Sequence, residues 1–573
     1  MIIYYIKMSY IWQLKDKAPA EFIEKFPELS PIVAQLLFSR NLQTQEAIDE
    51  FLLPDYSQDI HDPFLFKDME KACQRIYQAI EKAETITVFA DYDADGVSSA
   101  VILNSVLVDL GARVNVYLPH REKEGYGLNK TAVEELASSG TKLIITCDCG
   151  VSNNEEIDVA NTKDMDVIVT DHHAMREVLP SAHAIIHPQA PGETYPFKFL
   201  CGGGVAFKLA QGLLKHASNK FELKDKEAKE KWLLDMVAIS TVADMVPVMG
   251  ENRTLLKHGL IVLRKTRRVG LQMMFKVAGI EPKEIDATTI GFAIAPRINT
   301  AGRMDHANQA YYLIIEKDET KAGEMAAALN QNNSERQKIT ESIFREAKAL
   351  DIDTQDKLLI FYKTDWPAGL ISLAANKLLR EYNRPCLVIC GQGDKIVGSA
   401  RSLEGFNITD ALKKNTDLLV RFGGHPQAAG FTTTEKNYDI LIKNLKELAV
   451  QGLNDELLQS KLEIEKKIDL DQINWELVDW LEKFAPYGQG NPEPYFMSEN
   501  VFVSQARKVG SDAKHLKLEL AQNKKKIGGI GFGLGNIDLA VGHNVDIVYN
   551  ININEWNGNR EIQLKIKDIH PVK

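Results

Sequence analysis

Cysteine is scarce in this chain: six residues among 573. They are scattered, and the pairs Cys147/Cys149 and Cys386/Cys390 sit in apolar, strand-like runs. That disfavours a disulfide framework or a thiolate zinc site and points to reduced core thiols in a cytoplasmic protein. No apolar run approaches the roughly 18 residues needed to span a membrane. Met1 to Met8 is apolar but broken by Lys7, with neither the basic flank nor the small-residue cleavage site of an export signal, so Met8 is the expected true start. Positive charge is not in excess either. A net charge of −11 argues against non-specific wrapping of nucleic acid by the whole surface, although it leaves room for a local basic channel. Internal repeats and low-complexity tracts are also missing.

What is present is the composition of a soluble globular protein, 45% hydrophobic and 26% charged. The length suggests about three or four domains. Residues 8 to about 70 read as polar-amphipathic helix ending at the Asp62-Pro63 turn, and Lys71 to Lys82 carries an apolar stripe suited to packing on a sheet. Strands are then expected at Thr85–Ala90, Ala112–Tyr117, Lys142–Thr146, Met165–Thr170 and Ala184–Ile186, alternating with helices as in a parallel sheet covered on both faces. Residues 199–249 read as mainly helical and 310–350 as a long polar connecting helix. Lys357 to about Val450 alternates again as a second α/β domain, and short strands with Gly and Asn turns from about Leu462 suggest a small barrel. The expected division is 1–70, 71–275, 276–350, 351–455 and 456–573.

The stretch around which the chain is organised is Thr85-Ile-Thr-Val-Phe-Ala-Asp91-Tyr-Asp93-Ala-Asp95-Gly96. A buried strand ends at three alternating carboxylates. Gly96 permits a sharp turn, and Ser98 or Ser99 is a candidate cap for the helix that follows. Carboxylates so close repel one another unless a cation lies among them. A calcium EF-hand loop shares the first six positions but needs a bidentate Glu at the twelfth, which here is Ile102. Three more segments end in the same chemistry: Asp148 after an apolar strand, Asp171-His172-His173 after another, and Asp244 at the end of an apolar helix. Each alone reads as a cap or turn residue. Together they supply carboxylates and imidazoles of the kind that suits Mn²⁺ or Mg²⁺ better than zinc. Two such ions activate a water and clamp an in-line phosphoryl displacement.

The Asp171-His172-His173 triplet, with Asp91-Tyr-Asp-Ala-Asp-Gly96, Thr146-Cys-Asp-Cys-Gly150 and Thr241-Val-Ala-Asp-Met-Val-Pro247, closely resembles the DHH phosphoesterase superfamily. Over nearly its whole length the chain is similar to that superfamily's bacterial single-strand-specific exonucleases. Further matching stretches are Glu124-Gly-Tyr-Gly127, Cys201-Gly-Gly-Gly204, Ala295-Pro-Arg297-Ile-Asn299 to Arg303, Leu329-Asn330 to Gln337, and Phe422-Gly-Gly-His425. The resemblance implies that Asp91, Asp93, Asp95, Asp148, His172 and Asp244 hold two Mn²⁺ or Mg²⁺ ions, with Asp148 bridging. It also implies that His173, Asp148 and Asp171 serve the chemistry, His173 either acting on the reacting phosphate or merely supporting the ligands. Arg121, Arg303, Ser399 and Arg401 would grip a terminal 5′-phosphate, a task suited to the planar guanidinium. The Gly423-Gly424-His425 turn would admit the substrate backbone.

Two departures stand out. Trp366-Pro367-Ala368-Gly369 lacks the histidine usual in that motif, and His187-Pro188 stands where Asn-Pro is usual. Towards the C-terminus, Arg507, Lys508, Lys514 and Lys517 cluster near Phe532, Tyr549 and Trp556, a pattern that fits an oligonucleotide-binding (OB) barrel holding single strands. The Lys524 to Lys526 run alone reads as a solvated hairpin. The expected fold is therefore a parallel-sheet DHH domain, a long connecting helix, a DHH-associated α/β domain and an OB-type barrel. The expected function is 5′→3′ exonuclease action on single-stranded DNA in repair and recombination. A monomer is expected, assisted by a helicase and a single-strand-binding protein and without membrane contact. The alternatives are a phosphodiesterase of the same superfamily acting on short oligonucleotides or cyclic dinucleotides, and a non-catalytic DNA-binding scaffold.

Overall fold

The run Thr85–Ala90 has no polar face, so its side chains are satisfied only in a strand covered on both sides. A computed structural model, which describes residues 10–216, 224–556 and 558–572, builds it that way; the expected start at Met8 and the side chain of Trp556 lie outside the described residues. Strands β1 (Thr85–Ala90), β2 (Arg113–Tyr117), β3 (Thr141–Cys147), β4 (Asp166–Thr170) and β5 (Ala184–Ile186) form an all-parallel sheet in the order β2-β1-β3-β4-β5. Ile86, Val88 and Ile145 pack with helices Met69–Glu81, Ala94–Asp109 and Gly202–His216. Phe89, Ile144 and Val167 pack on the other side with helices Lys130–Ser138 and Asn154–Thr162. The strand order reverses between β1 and β3. A crevice opens at the carboxyl ends at such a switch point, and in open α/β sheets ligands bind there.

Two compact units divide the chain. Leu53–Ile339 with Pro486–Asn491 forms one, and the chain up to Leu52 with Thr340–Ala485 and Pro492–Lys573 forms the other. The first holds the parallel sheet and the helices Leu234–Ala243, Ala295–Met304 and Asn308–Ile315. The division falls within the polar helix Glu319–Ala349, whose 31 residues span about 46 Å at 1.5 Å each.

The second unit contains a mixed five-stranded sheet, ordered Leu419–His425, Ala428–Thr434, Lys395–Arg401, Cys386–Gln392, Leu359–Tyr362. Trp366, of the motif that lacks its histidine, is buried and donates its indole N–H to Glu346 at 3.0 Å. Farther along, Phe496–Val509 pairs with His515–Gln522 on one side and Asn544–Trp556 on the other. That closes a barrel completed by Lys525–Gly531 and Asn559–Pro571.

The N-terminal segment departs from the helical expectation at both ends, since residues 53–68 carry only the short 3₁₀ turn Pro63–Leu65. Helices Pro31–Phe38 and Gln45–Leu52 form, but Ile11–Leu14 is a strand, parallel to Lys461–Ile464. A pairing across nearly the entire chain leaves no local periodicity to read. Trp12 seals it, stacking on His570 at 3.9 Å and donating to Asp568 at 2.8 Å. All six cysteines are free and buried, and among the described residues no helix is long and apolar enough to cross a membrane.

Candidate metal centre

The acidic loop leaves β1 at the switch point and runs directly into the helix Ala94–Asp109. Its N-cap is Asp93, not Ser98 or Ser99: the Asp93 carboxylate accepts from the amides of Asp95 and Gly96 at 2.9 and 3.1 Å. The two serines lie inside the helix and donate back to the carbonyls of Ala94 and Asp95. Gly96 therefore makes no sharp turn. It is required because a Cβ there would lie 2.3 Å from the Asp91 carbonyl oxygen. Asn299, from the helix Ala295–Met304, accepts from the Ala94 amide at 2.8 Å and ties that helix to the loop.

Asp95 is held by the start of the helix Gly202–His216. Its carboxylate accepts from the amides of Gly202 and Gly203 at 2.8 and 2.7 Å and from the hydroxyl of Ser240. Asp148 follows β3 in the left-handed region (φ 60°), which short polar side chains tolerate better than most and which recurs at functional sites. A Cβ on Gly202 would meet the Cβ and Oδ1 of Asp148 at 2.7 Å, so the glycine run is shaped around two carboxylates at once. The sequence marked these glycines only as part of a resemblance and did not single out Ser240.

His172 converges from the end of β4. Its Nε2 lies 3.1 Å from Asp148 Oδ1, 3.6 Å from Asp244 Oδ2 and 3.7 Å from Asp95 Oδ2. Ligands at adjacent corners of an octahedron with bonds of about 2.1 Å are about 3 Å apart, so these spacings suit a hard cation. Two groups that share no residue have ligand atoms all within 4.8 Å of one another: Asp91/Asp93/Asp148, and Asp95/His172/Asp244. Asp148, bonded to His172, joins them. The buried Asp91 Oδ1 has no hydrogen-bond partner among the described residues. The electrostatics agree. Burial, with Asp93 beside it, pushes Asp95 up to about 6; burial, with Asp95 and Asp93, pushes Asp244 up to about 9. Asp91 and Asp148 are likewise raised well above the carboxylate range by burial and then by acidic neighbours. A cluster that resists ionisation by itself is one that divalent cations would ionise. The residues fit a pair of them.

Asp171 belongs to none of the ligand groups. It accepts from the amides of Val151, His172 and His173 and from His173 Nδ1 at 2.9 Å. Burial opposes its charge, but His173 and these amides outweigh it and hold Asp171 down to about 2. Burial also opposes charge on His173, and Asp171 outweighs it, raising the imidazole to about 9. Tyr126 touches His173 Nδ1 at 2.9 Å and donates to the Asp148 carbonyl at 3.0 Å, so Nε2 is the nitrogen left for other partners. His187, the departure from the usual Asn, is fully buried. Its Nδ1 accepts from the Gln189 amide at 3.1 Å, so Nε2 carries the proton and donates to the His173 carbonyl at 2.8 Å. That histidine props up the imidazole loop, a role the sequence did not disclose.

Of the basic residues, Arg121 stacks over Tyr92, 4.9 Å from the ring centre, between Asp91 and Asp93; Arg303 also acts electrostatically on Tyr92. Ser399 and Arg401 belong to the other unit. Arg401 donates to Ser399 Oγ at 3.1 Å and to Asn376 at 2.9 Å. Gly423, Gly424 and His425 are not a turn but the end of an edge strand, opposite Gly430, Ala429 and Ala428. Since Gly430 and Ala428 in turn oppose Ser399 and Arg401, one sheet face carries Ser399 and Arg401 beside two glycines that leave the backbone bare.

In the barrel, Arg507 and Lys517 are exposed and directly opposite on neighbouring strands, a like-charge pair that costs stability without an anion. Lys508 and Lys514 are paired with Asp538 and Asp512, at 2.9 and 3.1 Å. Phe532 is exposed and meets His515 edge-on, whereas Tyr549 is buried against Ser498 and is core, not a stacking ring.

Comparison with known proteins fits this arrangement. Residues 85–241 match the family model described as DHH family, N-terminal domain; 355–451 match the DHHA1 domain; and 464–568 match the RecJ OB domain. The single-stranded-DNA-specific exonuclease RecJ of Bacillus subtilis is 37% identical over 98% of this chain and 71% of that protein. The chain belongs to the RecJ family. RecJ of Salmonella typhimurium is 30% identical over 98% of this chain and 99% of its own length. Among solved structures, RecJ in complex with Mn²⁺ from Thermus thermophilus superposes with a TM-score of 0.83 at 26% identity, covering 98% of this chain and 80% of that one. The family's members are metal-dependent exonucleases, and in this chain Asp91, Asp93, Asp95, Asp148, His172 and Asp244 lie in groups that could hold metal ions.

Proposed function

We propose that this protein degrades single-stranded DNA from its 5′ end, releasing 5′-mononucleotides in repair and recombination. The observation that carries the reading is the pair of separate ligand groups joined through Asp148 at the switch point. Asp91, Asp93 and Asp148 would hold one divalent cation and Asp95, His172 and Asp244 the other, Mn²⁺ or Mg²⁺. When bound, the cations would activate a water and neutralise charge on the phosphate. The residues do the rest. Asp171 keeps His173 protonated at neutral pH through Nδ1, which leaves Nε2–H to donate to a phosphate oxygen. Asp95 stays in register because two amides and a hydroxyl fix it. Arg121, Arg303, Ser399 and Arg401 would take the terminal phosphate, which requires a free end and sets polarity. Gly423, Gly424 and His425 would border the strand's backbone, and Arg507, Lys508, Lys514 and Lys517 would guide its trailing part.

The five-part division drawn from the sequence, action as a cytoplasmic monomer, and assistance by a helicase and a single-strand-binding protein complete the reading. Mn²⁺-dependent digestion of an end-labelled single strand, with or without a 5′-phosphate and beside its duplex, tests it. Stepwise loss from the 5′ end of the single strand alone is expected. Cleavage confined to dinucleotides, or full activity of Asp148→Ala with unchanged metal content, would overturn it.

A further inference from the structure

The helix Ala295–Met304 presents a second face away from the acidic loop. Arg297 donates from Nε to Asn330 Oδ1 at 3.0 Å and from one terminal nitrogen to the Ala293 carbonyl at 2.6 Å. On the long helix, Arg336 donates to Asn333 Oδ1 from Nε at 3.3 Å and a terminal nitrogen at 2.8 Å. Thr300 reaches the same Asn333 oxygen at 3.3 Å. Asn330 and Asn333 are three residues apart on one helix face, about 4.5 Å along the axis, so the two guanidiniums are anchored one turn apart.

What distinguishes this pair is its partners. Every acceptor named is a neutral amide or carbonyl, and neither arginine has a carboxylate within 4.0 Å among the described residues. Other arginines withdrawn from solvent do meet carboxylates: buried Arg40 lies on Glu465, buried Arg75 on Asp166 and Glu84, and half-buried Arg268 on Asp235. Both Arg297 and Arg336 are only half-exposed, so burial disfavours their charge, and Arg336 additionally feels Arg297. Each guanidinium has five N–H donors and spends two on these contacts, which leaves a surplus of directed donors and two uncompensated cations. The same helix carries Asn299 and Arg303 at the acidic loop, and Arg297 is six residues, or about 9 Å of axis, from Arg303.

We propose that Arg297 and Arg336 form an anion subsite for a backbone phosphodiester of the single strand, separate from the terminal-phosphate grip. The proposal rests on the single-strand reading above. Asn330 and Asn333 are its positioning residues, holding the forks by neutral contacts so that the cations remain available to the ligand. A phosphodiester carries one negative charge and two free oxygens, which two forks a turn apart can share.

The test measures binding of a 5′-phosphorylated oligothymidylate to the full chain carrying Asp148→Ala, as a function of salt. Arg336→Gln and Arg336→Lys are compared in that background, with thermal midpoints recorded. Loss of one single-strand phosphate contact lowers the slope of log K against log salt by about 0.7. Arg336→Gln is expected to lose that much slope and to weaken binding equally for oligothymidylate and mixed-sequence strands, while Arg336→Lys retains the slope. An unchanged slope in Arg336→Gln would overturn the subsite, and so would identical losses in both variants, since packing rather than charge would then be the cause. If the Asp148→Ala parent bound no single strand at all, the functional reading itself would fall with it.

Discussion

Gly202 offers the sharpest test of how the candidate centre is held. It contributes no side chain, yet its amide donates to Asp95 at 2.8 Å and its Cα faces Asp148. In Gly202→Ala the new Cβ would stand 2.7 Å from both the Cβ and Oδ1 of Asp148, whereas ordinary contact begins at 3.4 Å. One side must retreat by about 0.7 Å, and the obstacle is partly a Cβ, which cannot rotate away. If Asp148 moves, the bridge between the two ligand groups opens; if the helix moves, the hold on Asp95 lengthens. A misplacement approaching 1 Å costs about 10²-fold in rate, or about 2.7 kcal/mol of barrier. Loss of a contact behind a ligand costs about 10- to 100-fold in metal affinity. Single-turnover digestion with excess enzyme would report the first, and Mn²⁺ titration by calorimetry the second. Gly323→Ala is the matched control: its Cβ meets nothing within 4 Å on the long helix, so it should stabilise by roughly 0.5–1 kcal/mol and leave the rate alone. A Gly202→Ala protein with wild-type Mn²⁺ affinity and rate would refute the idea that this glycine shapes the centre.

Other outcomes follow from the same geometry. Asp95 and Asp244, raised to about 6 and about 9, are protonated in the metal-free folded chain at pH values where the unfolded chain is ionised. Their contribution to stability therefore falls as pH rises from about 4 towards 9, while Mn²⁺, which displaces those protons, should raise the melting temperature more at pH 8.5 than at pH 6 by about several degrees in calorimetric scans. The His173–Asp171 pair is bounded on both sides: the His173 part is fully present below about 6.5 and lost as pH rises through about 9, and the Asp171 part is present above about 3.8 and lost as pH falls through about 2. Asp171→Asn should return the imidazole towards its ordinary range, so that activity drops more at pH 8 than at pH 6; a pH–rate profile measures this. Arg401→Ala should cut the preference for a 5′-phosphorylated over an unphosphorylated strand by roughly 10- to 100-fold, the worth of one charge-assisted bond, as read from competing substrates. Finally, every cysteine is buried, and burial pushes the Cys147 and Cys386 thiols up to about 12, so a thiol-specific chromogenic reagent should titrate no fast-reacting thiol before unfolding.

Elements whose signals are local can be read directly from the amino-acid order. The β-branched run before Asp91, the apolar runs before Asp148 and Asp171, and the polar composition of the helix Glu319–Ala349 announce themselves because periodicity and residue type act over one or two turns. The acidic set was legible for the same reason, since carboxylates at strand ends stand out against apolar neighbours. Features that depend on meeting a distant segment emerge only in the folded chain. Ile11–Leu14 is a strand only because Lys461–Ile464 offers it an edge, and Asp93 displaces the serines as cap because the loop must leave Asp91 and Asp95 pointing into the crevice. Tyr549 turns inward because its hydroxyl finds Ser498 there. Gly202, Ser240 and His187 acquire their roles only once the chain has brought Asp95, Asp148 and the His173 carbonyl within hydrogen-bond or van der Waals range of them. A side chain's chemistry is written in its own position, but its partner is written elsewhere in the chain, and only folding brings the two together.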